Sequence, residues 1–130
     1  GGAPVVISQR DIRELQYAKG AMKSGIAILQ RTLGISDADI DQVMLAGSFG
    51  SYINPSSARA IGLVPSVPIE RIVAVGNTAG EGAKMAMLSF REREAARVIP
   101  AQVEYLELSA MSTFTDDFVD ALPFPPRSEL

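Results

Sequence analysis

Two stretches carry the residue types from which a ligand site can be built. The apolar run Val43-Met44-Leu45-Ala46 stops in Gly47-Ser48-Phe49-Gly50, and the run Ile72-Val73-Ala74-Val75 opens into Gly76-Asn77-Thr78-Ala79-Gly80-Glu81-Gly82. Each reads as a buried strand followed by a glycine turn that exposes backbone amides. Ligands of open α/β sheets sit beyond the carboxyl ends of strands, so two such turns predict one shared cleft with room for a flat base or a phosphate. The amides that open the helix after Thr78 suit an anion. Plain structural turns account for the same residues, since the pattern is neither a Walker A loop nor a G-x-G-x-x-G fingerprint. Phe49 either stacks on a ligand ring or plugs the core. Lys19 and Lys23 lie one helical turn apart, where they either face the cleft and meet phosphate or ribose, or simply face solvent. Asn77 either caps the following helix or bonds the ligand.

Composition removes other chemistries. The 130 residues contain no cysteine and no histidine, which excludes a disulfide scaffold, a thiolate metal site, a catalytic thiol and the commonest general base. The aspartates at 37, 39 and 41, and at 116, 117 and 120, lack EF-hand spacing and read as helix starts. Glu81 is assigned to a helix cap, and no carboxylate pair stands out as an acid/base couple. A net charge of -3 and a pI near 4.9 argue against a nucleic-acid footprint. No run is long and apolar enough for a membrane span and no signal peptide heads the chain, so a cytoplasmic setting is expected. The length suits one domain, 1-126, with a loose tail at 127-130, and the abrupt opening suggests a piece of something longer.

The elements that would position these residues follow from periodicity and caps. Ser8 with Asp11 starts a helix at Gln9; Ile12, Leu15, Ala18, Met22, Ile26, Leu29 and Leu33 make its apolar stripe, and Gly34 ends it. At about 1.5 Å per residue it spans roughly 37 Å. Gly20 and Gly25 interrupt it, at a cost of up to about 1 kcal/mol each against Ala, which implies close approach of a backbone or ligand, or tight helix packing. Ser36 and Asp39 cap a short turn. Asn54-Pro55 opens a brief helix to Ile61, closed by Gly62. Thr78 and Glu81 predict a capping box for a helix running to about Ala96, and Arg91 to Glu94 its solvated face. Val103, Tyr105, Leu106 and Leu108 predict a third strand near a sheet edge, and Phe114, Phe118 and Leu122 a last amphipathic helix before Pro123-Phe124-Pro125-Pro126. The expected order is α-β-α-β-α-β-α. That is half of a sheet domain, whose bare strand edges should favour self-association.

Several of these stretches together resemble a known family. Ile7 to Gln16, Ala18 to Ala21, Leu45 to Ile53, Ile61 to Pro65, Val75 to Ala83, and Phe118 to Leu122 with Phe124-Pro125 are similar to the C-terminal part of the ATP-dependent reductive activators of corrinoid proteins. The resemblance implies a partial ribonuclease-H-like domain of the actin/Hsp70/sugar-kinase superfamily, of α/β class with about three strands and helices on both faces. It further implies that Leu45 to Gly50 is the adenosine-binding motif and that the helix carrying Gln16, Lys19 and Lys23 touches the ribose. In such proteins ATP or ADP with Mg²⁺ binds between two domains, and a [2Fe-2S] cluster sits on an N-terminal ferredoxin-like domain. They reduce the Co(II) corrinoid of a methyltransferase system. This chain has no cysteine for a cluster and lacks the glycine-hairpin phosphate motifs and their aspartates. The implied partners are a corrinoid protein and the rest of a parent chain. The alternatives are a docking module for a corrinoid protein that has lost nucleotide function, and a relative of small-molecule kinases.

Overall fold

The computed structural model describes residues 4–126. Helix α1 (Gln9–Leu33) starts and ends where its caps predict. The Ser8 amide donates to the Asp11 carboxylate at 2.8 Å and the Asp11 amide to the Ser8 hydroxyl at 3.3 Å, which satisfies two donors of the first turn. The glycines inside α1 have a packing cause. A Cβ on Gly20 would stand 3.1 Å from a Leu122 methyl, and one on Gly25 would stand 3.2 Å from a Leu108 methyl. Both gaps receive the C-terminal part of the chain. Helix α6 (Phe114–Ala121) lies there against α1, with Phe118 stacked between Tyr17 and Phe114 at centroid distances of 6.4 and 6.3 Å. Arg31 closes the same contact through a 2.6 Å ion pair with Asp117.

The sheet is parallel. Strand β1 (Val43–Ala46) pairs with β2 (Ile72–Gly76) in the register Val43↔Ile72, Met44↔Val73 and Leu45↔Ala74, and an irregularity then sets Ala46 opposite Gly76. Parallel pairing needs a crossover. Here α2 (Gly47–Tyr52) and α3 (Pro55–Ala60) form it, and Asn54 caps α3 by accepting from the Ser57 amide at 3.1 Å. Leu45 and Ile72 are buried with Ala58, Leu63, Val64 and Val67, the core of the domain. Burial of each larger side chain is worth about 1.5–3 kcal/mol. Asp37 ties in the preceding 3-10 turn (Asp37–Asp39) by accepting from Gln30 at 2.7 Å and from the Ser66 amide at 2.7 Å.

Four expectations are corrected. The residues after β1 form helix α2 rather than a loop. The segment Val103 to Leu108 is not a strand: it runs without a partner into a 3-10 turn (Leu108–Ala110), so the sheet has two strands, not three, among the described residues. A strand exists only through its ladder, and no described residue pairs with this segment. The helix expected from Thr78 to Ala96 is two helices, α4 (Thr78–Leu88) and α5 (Phe90–Gln102). They break at extended Ser89, whose amide ends α4 on the Met85 carbonyl at 3.0 Å while its hydroxyl caps α5 by accepting from the Glu92 amide at 3.3 Å. The capping box of Thr78 and Glu81 does not form. Asn77 caps α4 instead, accepting from the Gly80 amide at 3.0 Å, and Glu81 pairs with Lys84 at 2.7 Å.

Helices α4 and α5 pack on each other, and no residue of either is buried. Their apolar side chains are correspondingly bare, Phe90 at 75% exposure, and Met44 on the free side of β1 is 63% exposed. No helix among the described residues is long and apolar enough to cross a membrane. The tail 127–130 lies outside the described residues.

Candidate functional site

The two glycine turns meet. Ala46 and Gly76 are opposite each other at the carboxyl ends of the paired strands, and the next residue of β1's chain, Gly47, shares with Gly76 a left-handed φ of 65°. A side chain at either position would be strained. Yet a Cβ there would meet nothing within 4 Å. Conformation demands glycine at both, and the result is a step at which a side chain would point into open space. Gly50 has the opposite cause. A Cβ on it would overlap the Leu45 carbonyl and come within 3.0 Å of the Gly76 amide nitrogen, so this glycine lets α2 fold back onto both strands. Ser48 lies in the first turn of α2, and Phe49 follows it. Asn77 and Thr78 complete the second turn, with Asn77 spent on capping α4. Gly47, Ser48, Phe49, Gly50, Gly76, Asn77 and Thr78 thus lie along one sheet end.

The α1 residues do other work. Lys19 is 0% exposed and donates to the Ala121 carbonyl at 2.6 Å and to the Pro123 carbonyl, with its ammonium 5.4 Å from the centre of the Phe124 ring. Burial holds its pKa below the ordinary lysine value, with repulsion from Lys23 adding to the effect. Gln16 donates to the Leu122 carbonyl at 3.2 Å. Lys23 borders a small polar recess with Asp37, Gly62 and Pro125.

A groove that the motifs do not announce lies between α1 and the α2–α3 crossover. Its volume is about 460 Å³. Leu15, Ala18 and Met22 form one wall and Ile53, Ile61 and Leu63 the other, with Lys19, Tyr52, Asn54 and Ser57 as polar residues of the lining. The mixture of apolar walls and few polar groups suits a flat, partly polar ligand. Its signal in the sequence was divided between the stripe of α1 and residues following the Gly47 turn, two elements whose contact periodicity does not reveal. Among the described residues no group of carboxylates could hold a metal ion.

The family model of the C-terminal domain of RACo, the ASKHA domain, matches residues 1–129. The corrinoid activation enzyme RamQ of Eubacterium limosum is 33% identical over 118 residues, covering 91% of this chain and 20% of that protein. A [Co(II) methylated amine-specific corrinoid protein] reductase of Methanosarcina barkeri is 24% identical over 125 residues, 95% of this chain and 23% of the reductase. A solved structure of a reductive activator for corrinoid, iron-sulfur protein superposes with a TM-score of 0.82 at 37% identity, covering 92% of this chain and 19% of that one. The chain therefore spans about a fifth of the length of these relatives.

Proposed function

The chain belongs to the family of the C-terminal ASKHA domain of RACo, and from that premise we propose that it supplies the adenosine side of the ATP site in a reductive activator of a corrinoid protein. The observation that carries the reading is the pair Gly47 and Gly76, adjacent at the ends of parallel strands and open in front. An adenine ring needs a flat approach, which positions without side chains provide. The first turns of α2 and α4 add Ser48 and Thr78 as hydroxyls near the same step. Gln16 and Lys19 act through helix α6, and Lys23 is the residue of this helix left for the ribose.

This chain's chemistry is recognition. Adenosine fits the residues present, whereas Mg²⁺ and the phosphates need the glycine-hairpin motifs and aspartates that the sequence lacks. A [2Fe-2S] cluster does not fit here, because the chain offers no cysteine thiolate. When bound between two domains, ATP favours one arrangement of them, and that state assists electron transfer to the Co(II) corrinoid of a methyltransferase partner. Nucleotide energy is thereby coupled to a protein-protein equilibrium. A cytoplasmic setting belongs to the same proposal.

Calorimetric titration with ADP tests the site, on this chain and on a longer homologous activator carrying the same turn. Gly47→Val fills the step, and its affinity should fall at least about tenfold, or about 1.4 kcal/mol. Unchanged affinity in a variant with native circular dichroism overturns the reading. Adenosine should also shift the amide signals of Gly47 and Gly76 in the unmodified chain.

The alternative, a docking module for a corrinoid protein without nucleotide function, draws on the bare apolar side chains of α4 and α5, among them Leu88, Phe90 and Ile99. Corrinoid-protein binding without adenosine-induced shifts favours it.

A further inference from the structure

The segment that leaves α6 is fastened to both walls of the groove. On the α1 side, Lys19 donates to the carbonyls of Ala121 and Pro123, and Gln16 to that of Leu122. Helix α6 has no glycine closure of its own. Its C-cap, Leu122, stays right-handed at φ −65° and ψ −42°, and Pro123 follows. The carbonyls that a helix end leaves open are therefore closed by two side chains from α1. A cation at that end also meets the negative pole of α6, and Phe124 offers it a ring face.

On the α3 side, the anchor is Gly62, the residue after Ile61, the C-cap of α3. Its φ is 72°, and a Cβ there would stand 2.9 Å from the Pro125 ring. Pro125 thus sits in the space that a side chain at 62 would take. The strap 121–125 consequently joins α1 to the exit of α3. Lys19 itself lines the groove between those helices. Lys19 is 0% exposed, so its ammonium needs protein acceptors in place of water, and the strap supplies them.

We propose that Lys19 is a positioning residue: by holding the strap against α1 it sets the spacing between α1 and α3, and with it the width of the groove. The lysine acts on the groove through its two walls and not through its own ammonium, which the strap carbonyls occupy. Its role is then shared with Gln16 and with Pro125, whose ring fills the space at Gly62 beside the Lys19 ammonium, itself 4.0 Å from where a Cβ at 62 would stand.

Methyl and backbone NMR of the unmodified chain, Lys19→Met and Pro125→Gly tests the clamp. Lys19→Met keeps the length of the side chain and removes the donor. It should abolish the nuclear Overhauser contacts between Pro125 and Gly62 and shift the methyls of Met22 and Ile61, on opposite walls. Pro125→Gly should shift the same methyls with Lys19 intact, and the double variant should go no further than either single one. Retained Pro125–Gly62 contacts in Lys19→Met, or shifts that simply add, overturn the proposal. Should Lys19→Met fail to fold, Pro125→Gly decides: wall methyls that do not move overturn the clamp.

Discussion

At Gly50 the backbone of α2 comes so close to β1 that a single methyl group would overlap the Leu45 carbonyl. Gly50→Ala is therefore expected to destabilise the chain by about 3 kcal/mol or more, read from the midpoint of chemical denaturation. Gly82, inside α4, is the matched control. A Cβ there meets open space, so Gly82→Ala should be neutral or gain up to about 1 kcal/mol through helix propensity. A cost at Gly82 similar to that at Gly50 would contradict this account of close approach. Both residues look alike in the sequence, as members of glycine-rich turns after strands. What separates them is how the backbone turns after each strand, at Gly50 back onto the Leu45 carbonyl and the Gly76 amide and at Gly82 into open space. The same limit applied to Lys19. Its spacing from Lys23 was legible, but its burial depends on α6, whose contact with α1 no local pattern encodes.

At the scale of elements, the caps were the most legible features because their chemistry spans only three residues. Ser8 with Asp11, Ser36 with Asp39, and Asn54 with Pro55 all form as their types predict. The Ser89 break was concealed because the residues on both sides suit helix, and only the alternative satisfaction of backbone groups by one hydroxyl ends the first and starts the second. Ser89→Ala should loosen the α4–α5 junction while leaving the sheet intact, seen as faster amide exchange at Glu92 with unchanged protection in β1 and β2. The third strand failed for the opposite reason, since a strand's existence depends on a neighbour.

The caps also fix the response to acid. Hydrogen bonds from Ser8 hold the Asp11 carboxyl below its ordinary value of 3.8, those from Ser36 do the same for Asp39, and Arg31 does so for Asp117. A carboxyl with a depressed folded-state pKa adds stability that is fully present above its unfolded value and is lost as pH falls through the folded one. Denaturation midpoints should thus decline as pH drops below 3.8. Ser8→Ala, which removes the leading bond to Asp11, should flatten part of that decline and lower the midpoint at neutral pH. An acid slope identical to that of the unmodified chain would exclude this cap as a contributor.

For the molecule as a whole, the balance of covered and bare surface is uneven. Leu45 and Ile72 are buried on one side of the sheet, while Met44 and the apolar residues of α4 and α5 face outward. Concentration-dependent association is expected in sedimentation velocity. Leu88→Glu with Phe90→Glu should suppress it if the helices are the contact, and Met44→Lys if the strand is. A strict monomer at high concentration counts against both. The α/β class and the parallel pair were readable from apolar runs and glycine turns, but the uneven cover was readable only as a shortage of strands. The α1–α6 contact also sets an order of events. Lys19 and Ala121 are 102 positions apart, and closing so long a loop comes late, after local helices and the nearer strand pairing have formed. During synthesis α1 therefore waits for the 102 positions between Lys19 and Ala121 to emerge. A nascent polypeptide halted before Phe114 leaves the Gly20 side of α1 uncovered, a ready target for chaperones.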